Sequence, residues 1–388
     1  MSVGVPGRSE PTPSPTPEEV VRGLEDLDRG PAIQLELIAF GPRAIESLAA
    51  FLLGPPAQHP QPRMLAAEAL GAIGGAGAVD ALVRALLAGN VRSLSLGLRM
   101  SEEAVRNTIV RELGRLGDRT AIPPLLEALE RFHLVEAGRA LAALHEPRAL
   151  PLLVECLGDP FIKTRSADAI LEFGDAAVDV RLDGLGRREV DDGIEVRGSI
   201  EVRQECARLL GELGNGRAEP RLRRHLHDPE PRVGVAVALA VTRLAPDTVG
   251  DDVVALLVEG FRSEDWLVAD DHADALATLG PRVVEQLTAA FTLEASQADA
   301  RAEPAPPPVL RLIARTLARL GERGLAVLVA FTQHPSPLAR GVAVGTLAWA
   351  DSERAWPAIP EALHDPDRRV RRTARACRDR LWRHPDGR

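Results

Sequence analysis

The sequence predicts an all-α protein, a right-handed α-solenoid of about nine or ten stacked helical hairpins. Three observations carry the prediction. A phrase made of an apolar helix, a Leu-Gly hinge and a second apolar helix recurs along the chain, as in VRELGRLGDRTAIPPLLEALE and CARLLGELGNGRAEPRLRRHL. The hinges Gly41, Gly74, Gly117, His145, Gly174, Gly214, Ala245, Gly280, Gly321 and Ala350 recur at steps of roughly thirty residues, some lengthened to about forty. A second phrase opens several units: GDPFIKTRSADAI, HDPEPRVGVAVAL, HPSPLARGVAVGTL and HDPDRRVRRTARAC.

Each part of a unit has a physical reason. Ala140, Leu141 and Leu144 fall on one helical stripe, and a hinge glycine can take the left-handed backbone that closes a helix. Asp118, Asp175 and Asn215 follow such glycines and are placed to cap what comes next. Ile122, Leu125, Leu126 and Leu129 form the second stripe. Pro123 and Pro124 sit in its first turn, where a missing N–H costs little. Asp159, Asp228 and Asp365 stand where a helix N-cap is expected, each followed by Pro. Six residues further on come Arg165, Arg340 and Arg371, with Gly234 at the matching place in the remaining phrase. Neither helix of a pair can bury its stripe alone, so the pairs must stack.

These DPxxxVR-like starts and LGxLGD-like hinges resemble HEAT repeats, of the short bacterial type described in phycobilisome lyases. The resemblance covers roughly residues 30–383 and implies one superhelix with a concave and a convex helix layer. It also implies that Asp and Arg of successive units form a ladder, here broken where Gly234 replaces Arg and His334 replaces Asp. The expected organisation is a Pro/Ser/Thr-rich disordered arm over 1–17 and a single solenoid over 18–388. Insertions lie near 89–101, 185–200 and 293–308, and a capping helix spans 368–383. Asp192-Gly193 within the second insertion predicts a small hairpin, and the third insertion reads as a mobile acidic loop. All three fall between a second helix and the next first helix, which places them on one ridge of the array.

Composition narrows the function. The chain has 388 residues, 45% hydrophobic and 27% charged, and a net charge of −9. Aromatics are 3%, with no tyrosine, which argues against a base-stacking platform or a large aromatic pocket. All but one of the basic residues are arginine; Lys163 is the exception. Cys156, Cys206 and Cys377 lie far apart in apolar helical patterns, which predicts buried free thiols and a reducing cytoplasm. The first residues lack the apolar core of a secretory signal, and no apolar run is long enough for a membrane span.

No nucleophile, phosphate-loop or dinucleotide motif is present. His145-Glu146 is a single pair, where HEAT-like deoxyhypusine hydroxylases carry several, so no metal shell is expected. His225, His227, His334 and His364 fall at helix starts without zinc spacing. Trp266 with Asp270 and Asp271 has a faint similarity to HEAT-like alkylpurine DNA glycosylases, but a helix start with a solvated acidic face explains it. From Arg368 to Arg388 nine arginines face two aspartates, which leaves the remainder of the chain strongly acidic.

The reading is a non-enzymatic scaffold or adaptor that binds another protein along its concave face and insertion ridge. It needs no cofactor or metal and is a monomer or weak oligomer. Candidate partner-binding residues are Asp191, Asp192, Trp266, Asp270, Asp271, Arg368, Arg372 and Arg375. The resemblance leaves a bilin-lyase-like accessory role as one alternative, in which free cysteines and acids could serve. Nucleic-acid binding through the arginine-rich end is the other.

Overall fold

The computed structural model describes residues 15–89, 94–188, 190–191, 194–195, 197–263, 266–350 and 357–383. The chain forms two compact units, divided between Val180 and Arg181. In the first, α1 (Pro17–Val20) precedes the pairs α2 (Gly30–Phe40) with α3 (Ile45–Leu52) and α4 (Gln61–Ile73) with α5 (Gly75–Leu87). Next come α6 (Leu96–Leu116) with α7 (Ile122–Phe132) and α8 (Val135–Ala143) with α9 (Ala149–Cys156), then α10 (Lys163–Leu171). Helix α11 (Val178–Leu185) contains the division. In the second unit the pairs are α12 (Arg197–Leu213) with α13 (Glu219–Leu222), α14 (Pro231–Leu244) with α15 (Asp251–Glu259) and α16 (Trp266–Thr278) with α17 (Val284–Ala300). They continue with α18 (Pro308–Arg319) and α19 (Glu322–Phe331), α20 (Pro337–Trp349) and α21 (Ala358–Ala362), and the last helix α22 (Arg368–Arg383). Each unit is a stack of helical hairpins, the α-solenoid that the repeat predicts. The only strands among the described residues are Val190–Asp191 and Ile194–Glu195, an antiparallel pair with Asp191 opposite Ile194.

The hinges work as backbone reversals. Gly41, Gly74, Gly117, Gly174, Gly214, Gly280 and Gly321 all have positive φ, the region where only glycine is unstrained. His145 takes the same place at φ 53°. Asp118 and Asn215 cap as expected, accepting from Thr120 N at 2.9 Å and Arg217 N at 3.0 Å.

The Asp-Pro starts differ from the expectation by a few residues. Asp159, Asp228 and Asp365 accept from the backbone N–H of Phe161, Glu230 and Asp367 at 2.9, 2.9 and 2.8 Å. These are Asx turns that lead into the helix. Helix α14 itself starts at Pro231 after Glu230, and α10 starts at Lys163. The turn bends the chain first, and the proline after Asp is spent on that turn.

The Asp–Arg ladder is real and partial. Arg203 of α12 is paired with Asp228, and both are almost fully buried. Arg340 of α20 holds Asp365 with two bonds of 2.7 and 2.9 Å. The same guanidinium donates to the carbonyls of His334 and Pro335, both at 2.9 Å, and so fastens its own turn as well. Arg371 repeats that device on Asp365 O and Pro366 O at 2.7 and 2.8 Å. Where His334 replaces Asp, Val309 stands at the position of the partner arginine. The His334 ring instead accepts from Ser336 N at 3.1 Å and packs edge-on against Phe331. At Gly234 a Cβ would come within 2.8 Å of Leu226 O, so a side chain is sterically excluded there.

Two insertions are more helical than their composition suggests. Helix α6 begins at Leu96, inside the first, and its Ser101 hydroxyl and Glu102 carboxylate are held by Ala57 O and Arg63. Helix α17 runs to Ala300, because Phe291, Glu294, Ala295 and Ala298 continue its buried stripe and Arg262 pairs with Glu294. In helix α22, Val370, Ala374 and Cys377 are buried against Val344, Ala348, Ile359 and Ala362. Of the expected arm, residues 1–14 lie outside the described residues, while α1 starts at Pro17 after the capping residue Thr16.

Candidate partner-binding groove

The even-numbered helices of the second unit form one face, and its two ends differ in electrostatics. From α14 to α18 the face is neutralised helix to helix. Asp271 of α16 pairs with Arg243 of α14 at 3.4 Å, Asp270 with Arg315 of α18 at 3.5 Å, and Asp274 with Arg319 at 2.6 Å. From α18 to α22 the chemistry changes. PVLRLIARTLAR and PLARGVAVGTLAW, the sequences of α18 and α20, contain no Asp or Glu.

A groove of ≈1050 Å³ lies between α18, α20 and α22. Its floor is made of small residues, Gly341 and Gly345 of α20 and Ala376 of α22. A Cβ at Gly345 would sit in ordinary contact with Thr373, 3.6 Å away, so a side chain there would fill floor space that glycine leaves open. One wall carries Arg311 and Arg315, the other Arg369 and Arg372, and Pro304–Pro306 close the side that leads into α18. Trp349 stands at the end of α20 with 71% of its surface exposed. No carboxylate lines the groove among the described residues. Arg311 and Arg372 have no ion pair among the described residues, whereas Arg369 is held by Asp367 at 3.1 Å.

The sequence-predicted site residues separate accordingly. Arg372 lies in the groove; Arg368 and Arg375 are exposed on the same helix but do not line it. Asp270 and Asp271 are on the neutralised part of the face, already engaged by arginines. Trp266 is the first residue of α16 and Asp191 lies in the first strand; their side chains, and Asp192 altogether, lie outside the described residues. Sequence reasoning missed Arg311, Arg315, Trp349 and the Pro304–Pro306 wall. The available signal was the absence of acidic residues from two successive first helices.

Other chemistry candidates resolve into structure. Glu146 is buried, and the Arg148 guanidinium binds it at 2.7 and 3.0 Å and holds its carboxyl below the usual range. Among the described residues no three His, Cys, Asp or Glu side chains cluster as a metal site. All three cysteines are free and buried. Burial pushes the Cys156 thiol up to about 11 and that of Cys206 to about 12, so both stay protonated and are poor nucleophiles at neutral pH. No helix among the described residues is long and apolar enough to cross a membrane.

A family model for HEAT repeats matches residues 91–174, 193–277 and 298–377, more than half of the chain. The chain belongs to the HEAT-repeat family. No curated protein matches its sequence. Among solved structures, it is similar to the karyopherin Kap121p bound to the SUMO protease Ulp1p, with 12% identity and a TM-score of 0.47. That match covers 93% of this chain and 48% of the karyopherin, so the chain spans about half the length of that relative. The CpcE–CpcF phycocyanin lyase complex of Nostoc sp. PCC7120 is similar at 21% identity and a TM-score of 0.23, over 84% of this chain and 97% of that one. Human deoxyhypusine hydroxylase is similar at 17% identity and a TM-score of 0.23, over 92% and 99% of the two chains. All three are remote likenesses of repeat architecture.

Proposed function

We propose that this HEAT-repeat protein is a non-enzymatic scaffold or adaptor that binds a partner protein on the even-helix face of its second unit. The α18–α20–α22 groove is the observation that carries the reading. It combines a low apolar floor, an exposed indole and four arginines, of which Arg311 and Arg372 have no ion pair among the described residues, a combination typical of protein-binding hot spots. The rest of the face spends its charges on its own neighbours. Rigid helices hold the groove, so a partner would meet a surface that is already organised. The free thiols suit a reducing cytoplasm.

The test is capture from native lysate followed by gel filtration. The expected result is one protein that co-elutes with this chain in fixed stoichiometry at moderate salt. Co-elution of nucleic acid or of bilin absorbance with no stoichiometric protein would overturn the reading.

A further inference from the structure

The groove has a sign, and the sign selects its occupant. Arg311 and Arg372 have no ion pair among the described residues, and the carboxylate partner of Arg315 is 3.5 Å away with both groups solvated. A guanidinium in that state is free to take a carboxylate as a bidentate partner. Between the arginine walls, Gly341 and Gly345 leave room for a chain to approach, and Trp349 stands beside them with most of its surface exposed. A volume of ≈1050 Å³ accommodates a few side chains of an extended or single-turn segment, not a folded domain.

Building on the scaffold reading above, we propose that this groove receives a short acidic segment of the partner protein. Its carboxylates would lie on Arg311, Arg315 and Arg372 and one apolar side chain against Trp349. The favoured occupant is a peptide and not a nucleic acid. The chain as a whole carries −9 although α22 alone carries +7, so the rest of the chain carries −16 and a long polyanion that leaves the groove meets a repelling surface. A short acidic segment ends before it does.

Selection of a random peptide library on the full-length protein tests this directly. The expected winners are rich in Asp and Glu with one or two large apolar residues. A fluorescein-labelled winner should bind more weakly as salt is raised. The double variant Arg311→Glu with Arg372→Glu should lose at least about tenfold in affinity, while Arg99→Glu, on the exposed surface of the first unit, should leave affinity unchanged. Thermal melts of both variants should match the wild type, because the substituted arginines have no ion pair among the described residues. Enrichment of neutral or basic peptides, or no enrichment, would overturn the proposal. So would a single-stranded RNA that displaces the peptide at lower concentration. The outcomes also separate the two claims. A stoichiometric native partner that binds the double variant as well as the wild type leaves the scaffold reading standing and removes the groove. Absence of any stoichiometric partner removes the scaffold reading, whatever the peptides do.

Discussion

Two neighbouring stretches of one helical face, α14 to α18 and α18 to α22, are built from the same repeat and end with opposite electrostatic states. In the first, Asp270, Asp271 and Asp274 each meet an arginine from an adjacent helix. In the second, α18 and α20 lack acids altogether, and arginines line an open groove. Solvated ion pairs of the first kind contribute little stability, of the order of 0–1 kcal/mol each. Their main effect is to remove charge from the face. What the comparison teaches is that a binding surface in a repeat array can be made by omission. When the acids are left out of two successive helices, Arg311 of α18 and Arg372 of the facing α22 are left without an ion pair among the described residues, while Arg315, Arg319 and Arg340 reach acids outside those two helices.

The ladder provides the contrast that breaks this account most severely if it is wrong, because there arginines are structural. Arg203→Ala leaves Asp228 buried and unpaired, and we expect a loss of about 3–5 kcal/mol in denaturant unfolding of the full chain. Arg340→Ala is expected to cost less, about 2–3 kcal/mol, since its site is closer to solvent. Arg340 holds the Asp365 carboxyl below its ordinary value. That carboxylate therefore contributes stability that is fully present above the unfolded value near 3.8 and is lost as pH falls through the lower folded value. Wild-type stability should decline in that acid window, and Arg340→Ala should flatten this part of the decline. By comparison, Arg311→Glu and Arg372→Glu should change stability by no more than about 0.5 kcal/mol. A large destabilisation would place them with Arg203 and not in a binding site.

Smaller effects sharpen the picture. Gly321 has φ 69° with open space around it, so Gly321→Ala should cost about 1–2 kcal/mol through backbone strain alone. His145, at φ 53° in the equivalent hinge, is the reverse case, and His145→Gly should be neutral or stabilising by up to about 1 kcal/mol. The smallest expected effect is on Asp270→Asn. It should leave stability within about 0.5 kcal/mol. It also releases Arg315, so affinity for the acidic peptide should rise by about twofold.

The architecture was legible because its signals are local. The hinge glycines mark each reversal, and even His145 and Ala245 were placed by their neighbours. The capping helix over 368–383 was readable in the same way, and the structure forms it over Arg368–Arg383. The groove was not legible, because its walls come from residues 304–315, 337–349 and 369–377, and no period within one helix joins them. The arginine-rich α22 drew attention to Arg372, but the same reasoning also chose Arg368 and Arg375, which lie off the groove. Asp270 and Asp271 stand out in the sequence by their spacing from Trp266, and spacing within one helix does not reveal that Arg315 and Arg243 of the adjacent helices already engage them. Helical composition misled in the third insertion as well. Ala and Glu there continue α17 to Ala300, and only the prolines after it form a loop, which is the groove wall.

The most direct test of the central claim is site-specific photocrosslinking in native lysate, with the probe placed at Thr346 in the groove or at Asp274 on the neutralised stretch. The account predicts that the Thr346 probe captures a single protein through an acidic segment and that the Asp274 probe does not. Equal capture from both positions, or capture from Asp274 alone, would contradict it.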